Sequence, residues 1–348
     1  MTLAGTEPDP LPTASRRLEL ACVEYHTAGE PFRIAAGGFG PVPGDDMPAK
    51  RRYAATHLDR YRRLVINEPR GHADMYGCFV TEPVCEGSLF GAVFFHNAGY
   101  STACGHGTIA LATWAVESGV VDWGDTDELR LAIDVPSGTV AARCRRDGGA
   151  LNVTFGNVPA YVHSTEHVLP TSAGEIQVDI SYGGAFYASV DAGALGVPVT
   201  PANTGRFIVL GREIKRALEQ TLQIADPDTP DIQGIYGVIF FEQLNAGDGV
   251  LTQRNVTVFA DGEVDRSPCG SGTSARLALL SEDGFDERSE LRHLSIIGTE
   301  FRARIVGTGT AQGRRTVDTE ITGAAHLAGH HVLVMTPGDP LPDGFLLR

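Results

Sequence analysis

The apolar and polar positions of this 348-residue chain follow two periods. Short apolar or alternating runs bounded by Gly, Pro and Asn predict strands over Leu18 to Val23, Leu64 to Ile66, Gly77 to Val80, Gly91 to Phe95 and His331 to Met335. The sequence His26-Thr27-Ala28-Gly29-Glu30-Pro31 predicts a polar loop after the first strand, and the charge spacing from Ala49 to Leu64 predicts a surface helix. Two stretches differ from all of these. Thr108 to Val116 is nearly all apolar on every side, the pattern of a helix buried all round, and Ser274 to Leu280 reads as a second copy of it. Gly119 and Gly284 sit where such helices need a left-handed closing residue. Residues 1 to about 16, rich in Pro, Thr and acids, predict a disordered tail with little to bury.

The two buried helices start in copies of one another. Cys104-Gly105-His106-Gly107-Thr108-Ile109-Ala110 and Cys269-Gly270-Ser271-Gly272-Thr273-Ser274-Ala275 both read C-G-x-G-T-x-A, at an offset of 269 − 104 = 165. Gly119 and Gly284 keep that offset, and Met75-Tyr76-Gly77 has a counterpart in Ile235-Tyr236-Gly237. A period close to half the chain means two similar domains. The expected division is 17–175 and 176–329, with a final strand, about 330–348, that is able to return to the first domain.

Charge narrows the partners. A net charge of −15 and a pI near 5.1 argue against nucleic acid or an anionic membrane, both of which want basic patches. The N-terminal stretch reads as neither a signal peptide nor a membrane span, so the expected compartment is the cytoplasm. Six cysteines without a C-x-x-C pair point to reduced thiols. No H-E-x-x-H, Walker A or dinucleotide fingerprint is present, and no metal is expected. Pyridoxal phosphate, the usual cofactor for chemistry at an amino-acid α-carbon, needs a Schiff-base lysine. The only lysines are Lys50 and Lys215, both in charged stretches, so the expectation is a reaction without a cofactor.

Each repeated cysteine opens a buried helix, where the first backbone N–H groups have no intrahelical acceptor. That placement lowers a thiol pKa and offers donors to an anion. If equivalent loops meet in a cleft between the domains, Cys104 and Cys269 flank one small ligand. One thiolate then removes a Cα proton while the opposite thiol returns one. The N–H groups of Gly105, His106, Gly270 and Ser271 are candidates to hold the substrate carboxylate, and Asp265 its ammonium or imino nitrogen. Cys22, Cys78, Cys85 and Cys144 read as small hydrophobes, and His26 and His72 stay open as loop or site residues. A Cys/His hydrolase built on Cys104 leaves Cys269 idle.

At these residues the chain resembles the proline racemase family. The likeness runs from about Leu18 to the end and rests on His26-Thr27-x-Gly29-Glu30-Pro31, Glu68-Pro69-Arg70-Gly71-His72-x-Asp74-Met75, Cys104-Gly105-His106-Gly107 and Asp265-Arg266-Ser267-Pro268-Cys269-Gly270. It implies a mixed α/β fold like diaminopimelate epimerase, with two pseudo-symmetric domains, each a curved sheet around a central helix. It also implies a homodimer, Cys104 and Cys269 as the acid/base pair, His106 and Asp265 as substrate contacts, and a carboxylate site at the backbone of Gly105, Gly270 and Ser271. The family holds proline racemases, 4-hydroxyproline epimerases and trans-3-hydroxy-L-proline dehydratases. His96-Asn97-Ala98-Gly99-Tyr100-Ser101, Tyr182-Gly183-Gly184-Ala185-Phe186-Tyr187 and Asp343-Gly344-Phe345-Leu346-Leu347 look most like the dehydratase branch. That branch generally carries Thr where this chain has Cys269. Inversion needs two thiols and elimination one, so the complete pair points to a racemase or epimerase of proline or a hydroxyproline. The alternative is a dehydratase with Cys104 as base.

Overall fold

The computed structural model describes residues 17–226, 230, 232–311 and 313–347; the expected N-terminal tail lies outside them. Two sheets each curl around one helix. In the first half the strands Leu18–Thr27, Glu30–Ala35, Tyr76–Thr81, Phe90–His96, Glu128–Val135, Gly138–Asp147 and Ala150–Gly156 pair in that order. In the second the order is Ala160–Thr171, Gly174–Tyr182, Phe186–Asp191, Gly237–Gly247, Val250–Phe259, Glu290–Leu294, Glu300–Ala311 and Arg314–Gly323.

The segment from Arg314 to Met335 belongs to both sheets. Its strand Arg314–Gly323 pairs with Glu300–Ala311 and with Ala160–Thr171, which closes the second sheet, and its last residues pair with Ala150–Gly156. The next strand, Ala325–Met335, pairs with Leu18–Thr27 and closes the first. The two halves also share their parallel joints. Each has two, one spanned by a peripheral helical crossover and one by the central helix, as parallel pairing requires. The sequence division near residue 175 falls between Ala160–Thr171 and Gly174–Tyr182, which are bonded to each other. On hydrogen bonding we propose residues 157–159 as the division instead.

The central helices are Gly105–Glu117 and Gly270–Glu282. Ile109, Ala110, Leu111, Ala112 and Ala115 are fully enclosed in the first, and Ala275 and Leu277 in the second. A helix wrapped by a sheet has no solvent face, which is why neither carries a polar stripe. Truncating a side chain such as Leu111 or Leu277 to Ala costs about 2–5 kcal/mol. Gly119 and Gly284 take φ of 72° and 89° immediately after the helix caps.

Two local expectations change. Leu64, Val65 and Ile66 end the helix Asp59–Ile66 rather than forming a strand. An apolar triplet does not distinguish the two states, whereas Asp59 pairs with Arg62 and Arg63 at helical spacing. The surface helix over 49–64 is interrupted: Met47–Tyr53 passes through a π-helical segment, Ala54–Leu58, before Asp59–Ile66. The polar loop at 26–31 is a tight hairpin turn at Ala28-Gly29, with Thr27 and Glu30 buried at its shoulders. Glu30 is enclosed because the turn drives into the opposite half of the molecule.

The chain's end is strapped to its beginning. Arg70 donates to Val334 O at 3.0 Å and Leu341 O at 3.1 Å, and Phe345 N donates to Glu68 O at 2.8 Å. This gives the Glu68-Pro69-Arg70-Gly71 motif a structural duty. Among the described residues no helix is long and apolar enough to cross a membrane.

Candidate active site

The central helices meet nose to nose. A Cβ on Gly270 would lie 2.5 Å from Gly105 Cα, and one on Gly105 would crowd Gly270 as closely. Glycine at both positions is therefore a packing requirement. Cys104 and Cys269 are the N-cap residues of these helices, and the contact brings both thiols into one buried cavity with Gly105, His106, Asp265, Gly270 and Ser271. All seven candidate site residues named from the sequence line it.

The caps are not equivalent. Cys104 has extended backbone, φ −154°, and its Sγ accepts the Gly107 N–H at 3.2 Å. Cys269 has φ 65° and ψ 106°, a strained conformation for a residue with a Cβ. Surrounding bonds fix it: Cys269 N donates to Ser267 Oγ at 3.1 Å, Asn255 donates to Pro268 O at 3.0 Å, and Thr273 donates to Cys269 O at 2.6 Å. The imidazole of His106 stands 3.4 Å from Cys104 Sγ through Nε2, and its Nδ1 is 3.9 Å from Asp265 Oδ2. Tyr187 Oη lies 3.9 Å from Cys269 Sγ and 2.7 Å from Ser271 Oγ.

Burial controls the electrostatics. It pushes the Cys104 thiol well above its ordinary range; the Gly107 N–H acts against this and the Asp265 charge adds to it. It raises Cys269 to about 12, again with Asp265 adding to the rise. The expected lowering by the helix N-termini is overridden, because a thiolate in this enclosed cavity loses its hydration and faces a carboxylate. Burial shifts His106 down and so favours the neutral ring, and the Asp265 charge opposes it.

Further cavity side chains are Tyr76, Tyr187, Tyr236, Thr257 and Phe259. The correspondence of Met75-Tyr76-Gly77 with Ile235-Tyr236-Gly237 marks two of them in the sequence, and Tyr187 ends the Tyr182-Gly183-Gly184-Ala185-Phe186-Tyr187 stretch. Tyr76 and Tyr236 come from opposite halves, and their hydroxyls meet at 2.8 Å. Tyr236 and Phe259 also line an open vestibule of about 480 Å³, which includes Arg51 and Tyr100 of the first half and Arg212 and Lys215 of the second. The cavity itself measures about 10 Å³, one water at most, so a ligand of several heavy atoms requires it to widen. His26 and His72 stand elsewhere: His26 packs on His326, and His72 is exposed beside the Ala73 carbonyl.

The cavity gathers two thiols, one carboxyl side chain and the N-termini of two helices, a set suited to proton transfer at a carbon next to a carboxylate. Comparisons with known proteins give the family. The family model described as proline racemase matches residues 22–346. A 3-hydroxyproline 2-epimerase of Burkholderia multivorans is 42% identical, over 94% of this chain and 98% of its own. A trans-3-hydroxy-L-proline dehydratase of Bacillus thuringiensis is 39% identical, over 93% and 97%. A hydroxyproline epimerase of Agrobacterium vitis, solved with bound trans-4-hydroxy-L-proline, superposes with a TM-score of 0.86 at 30% identity, covering 94% of this chain and 96% of that one. A PhzF-family protein of Bacillus anthracis, at TM-score 0.57 and 12% identity, shares the fold. The chain belongs to the proline racemase family, and it is an enzyme of the isomerase or hydro-lyase kind.

Proposed function

We propose that this enzyme inverts the α-carbon of proline or a hydroxyproline without a cofactor, with Cys104 and Cys269 as paired acid and base. The observation that carries the reading is the placement of both thiols at the N-caps of two abutting helices in one closed cavity. In one direction the Cys104 thiolate takes the Cα proton. The C–H electron pair delocalises into the carboxylate, and the Cys269 S–H delivers its proton to the opposite face. The product leaves with the thiols in exchanged protonation states. The carboxylate accepts from the N–H groups of Gly105, His106, Gly270 and Ser271, each worth about 3–4 kcal/mol to the developing dianion. The substrate ammonium lies against Asp265. Its positive charge offsets the burial that holds the thiols protonated, so the thiolate forms with substrate bound.

A second reading has support in the names of relatives: several proteins 38–42% identical to this one are called trans-3-hydroxy-L-proline dehydratases. There Cys104 removes the Cα proton and the 3-hydroxyl departs as water, with Cys269 dispensable. Incubation in D2O with L-proline, trans-4-hydroxy-L-proline and trans-3-hydroxy-L-proline, followed by NMR of the Cα–H and by polarimetry, separates the two. Inversion of any of the three supports the first reading. Loss of water from the 3-hydroxy substrate that survives Cys269→Ser supports the second. The working form is proposed to be a cytoplasmic homodimer, which sedimentation of the purified enzyme tests.

A further inference from the structure

Glu30 is fully buried, and the acid/base chemistry makes no use of it. It stands at the shoulder of the Ala28-Gly29 turn of the first half, and its Oε2 accepts the backbone N–H of Arg266 in the second half at 2.7 Å. Its Oε1 has no partner among the described residues. Arg266 directly follows Asp265, the carboxylate of the cavity, whose Oδ1 accepts the Ser267 N–H at 2.8 Å. The bond from Glu30 therefore pins the peptide segment that aims Asp265.

The surroundings bear on the charge of Glu30. The groups facing it are Asp265, Asp74 and Arg266. The guanidinium of Arg266 donates to Asp74 O at 3.0 Å, and its nearest nitrogens lie 3.4 Å from Asp74 Oδ2 and 3.7 Å from Glu30 Oε2. A single guanidinium thus stands among three buried carboxyl groups, a setting in which each buried charge is costly. Glu30 is fully enclosed and receives a single N–H donor. A second carboxyl that joins the halves makes the contrast: Glu263 accepts the Ala98 N–H at 3.1 Å and the Asp261 N–H at 2.7 Å, and faces His96 at 3.5 Å. Glu263 shifts down, through its bond to His96 in spite of burial. Glu30 shifts well up, through burial and then the Asp265 charge.

We propose that Glu30 is a positioning residue that works as an uncharged carboxylic acid, clamping the Arg266 peptide across the two halves so that Asp265 is the single cavity carboxylate presented to the substrate ammonium. The inference rests on the two-thiol reading only for what Asp265 binds; the clamp stands on geometry. Glutamine copies a neutral carboxyl and keeps an oxygen to accept the Arg266 N–H. Alanine removes the acceptor and orphans that N–H.

The test compares Glu30→Gln and Glu30→Ala with the parent full-length enzyme by two readouts. Hydrogen exchange of the Arg266 amide, followed by mass spectrometry, reports the clamp without reference to catalysis. Protection is expected in the parent and in Glu30→Gln, with exchange faster by about a hundredfold in Glu30→Ala. Steady-state kinetics on the substrate that turns over report the consequence for Asp265. Glu30→Ala is expected to raise KM by about tenfold or more with a smaller change in kcat, and Glu30→Gln to restore KM to within about threefold with an unshifted pH profile. A Glu30→Gln enzyme as impaired as Glu30→Ala, or a pH profile that loses an ionisation in Glu30→Gln, overturns the uncharged role. An Arg266 amide equally protected in all three proteins overturns the clamp. If Glu30→Ala fails to fold, the Glu30→Gln exchange and pH profile decide alone. Failure of the parent to turn over any of the three amino acids contradicts the proposed reaction and leaves the amide readout to judge the clamp.

Discussion

Gly105 and Gly270 touch backbone to backbone where the two halves meet, close enough that a Cβ on Gly270 would lie 2.5 Å from Gly105 Cα. The contact sets the separation of the two helix N-termini, and with it the separation of the thiols. Gly105→Ala must push the helices apart or distort a cap. We expect a stability loss of about 1–3 kcal/mol, in the range of overpacked cores, and a fall in kcat/KM of about a hundredfold from misplaced donors. A thermal melt and steady-state rates measure the two. Unchanged activity would show that the contact does not set the site.

The thiols give a pH dependence whose sign follows from their direction of shift. In the folded enzyme Cys269 is raised to about 12 and Cys104 is raised well above its ordinary range. A base that holds its proton more tightly is deprotonated only at higher pH. kcat/KM, which reports the free enzyme, is therefore expected to climb from neutral pH through the ordinary thiol pKa of about 8.5 without levelling. A plateau reached below pH 7 contradicts this.

The same shift acts on stability. Unfolded thiols ionise near their ordinary value, whereas folded Cys22 and Cys269 keep their protons to about 12. The contribution is complete below the unfolded pKa and declines as pH rises from there toward the folded one. Melting temperature is expected to fall from about pH 9 upward, and to fall less steeply in Cys22→Ala once that variant's lower baseline is subtracted.

Tyr76 and Tyr236 form a latch between the halves through their 2.8 Å hydroxyl contact, and Tyr236 walls both the cavity and the vestibule. Tyr236→Phe keeps the ring and removes one partner. Because a cavity of about 10 Å³ admits a ligand only by opening, stopped-flow binding of pyrrole-2-carboxylate, a planar carbanion mimic, is expected to quicken. Association and dissociation should both accelerate by about threefold to tenfold, the worth of one hydrogen bond. Rates equal to the parent's would remove the latch from the entry path.

Much of this was legible in the sequence because duplication writes a signal twice. The C-G-x-G-T-x-A copies located both central helices, and the all-round apolar pattern identified them as enclosed. The strand pairing of Ala325–Met335 with Leu18–Thr27 and the placement of Ala160–Thr171 in the second sheet depend on contacts between residues far apart in the chain, which local periodicity does not carry. Leu64 to Ile66 was misread as a strand because three apolar residues fit either state. The thiol shifts were misjudged for a similar reason. A helix N-terminus is visible in sequence, but the depth at which Cys104 and Cys269 are buried is not. Phe259 reaches the cavity from a strand of ordinary β-sheet composition and leaves no local trace, whereas Tyr187 stands in a stretch that carries the family likeness.

The central claim is that Cys104 and Cys269 serve opposite faces of one carbon. Its most direct test follows deuterium in the first few per cent of turnover in D2O with a single enantiomer of the accepted substrate. With two thiols of opposed duty, the proton returned comes from the face opposite the one removed. The inverted product then carries deuterium at Cα while the remaining substrate carries none. Deuterium appearing in the starting enantiomer as fast as in the inverted one contradicts the account, because it means that one group both removes and returns the proton.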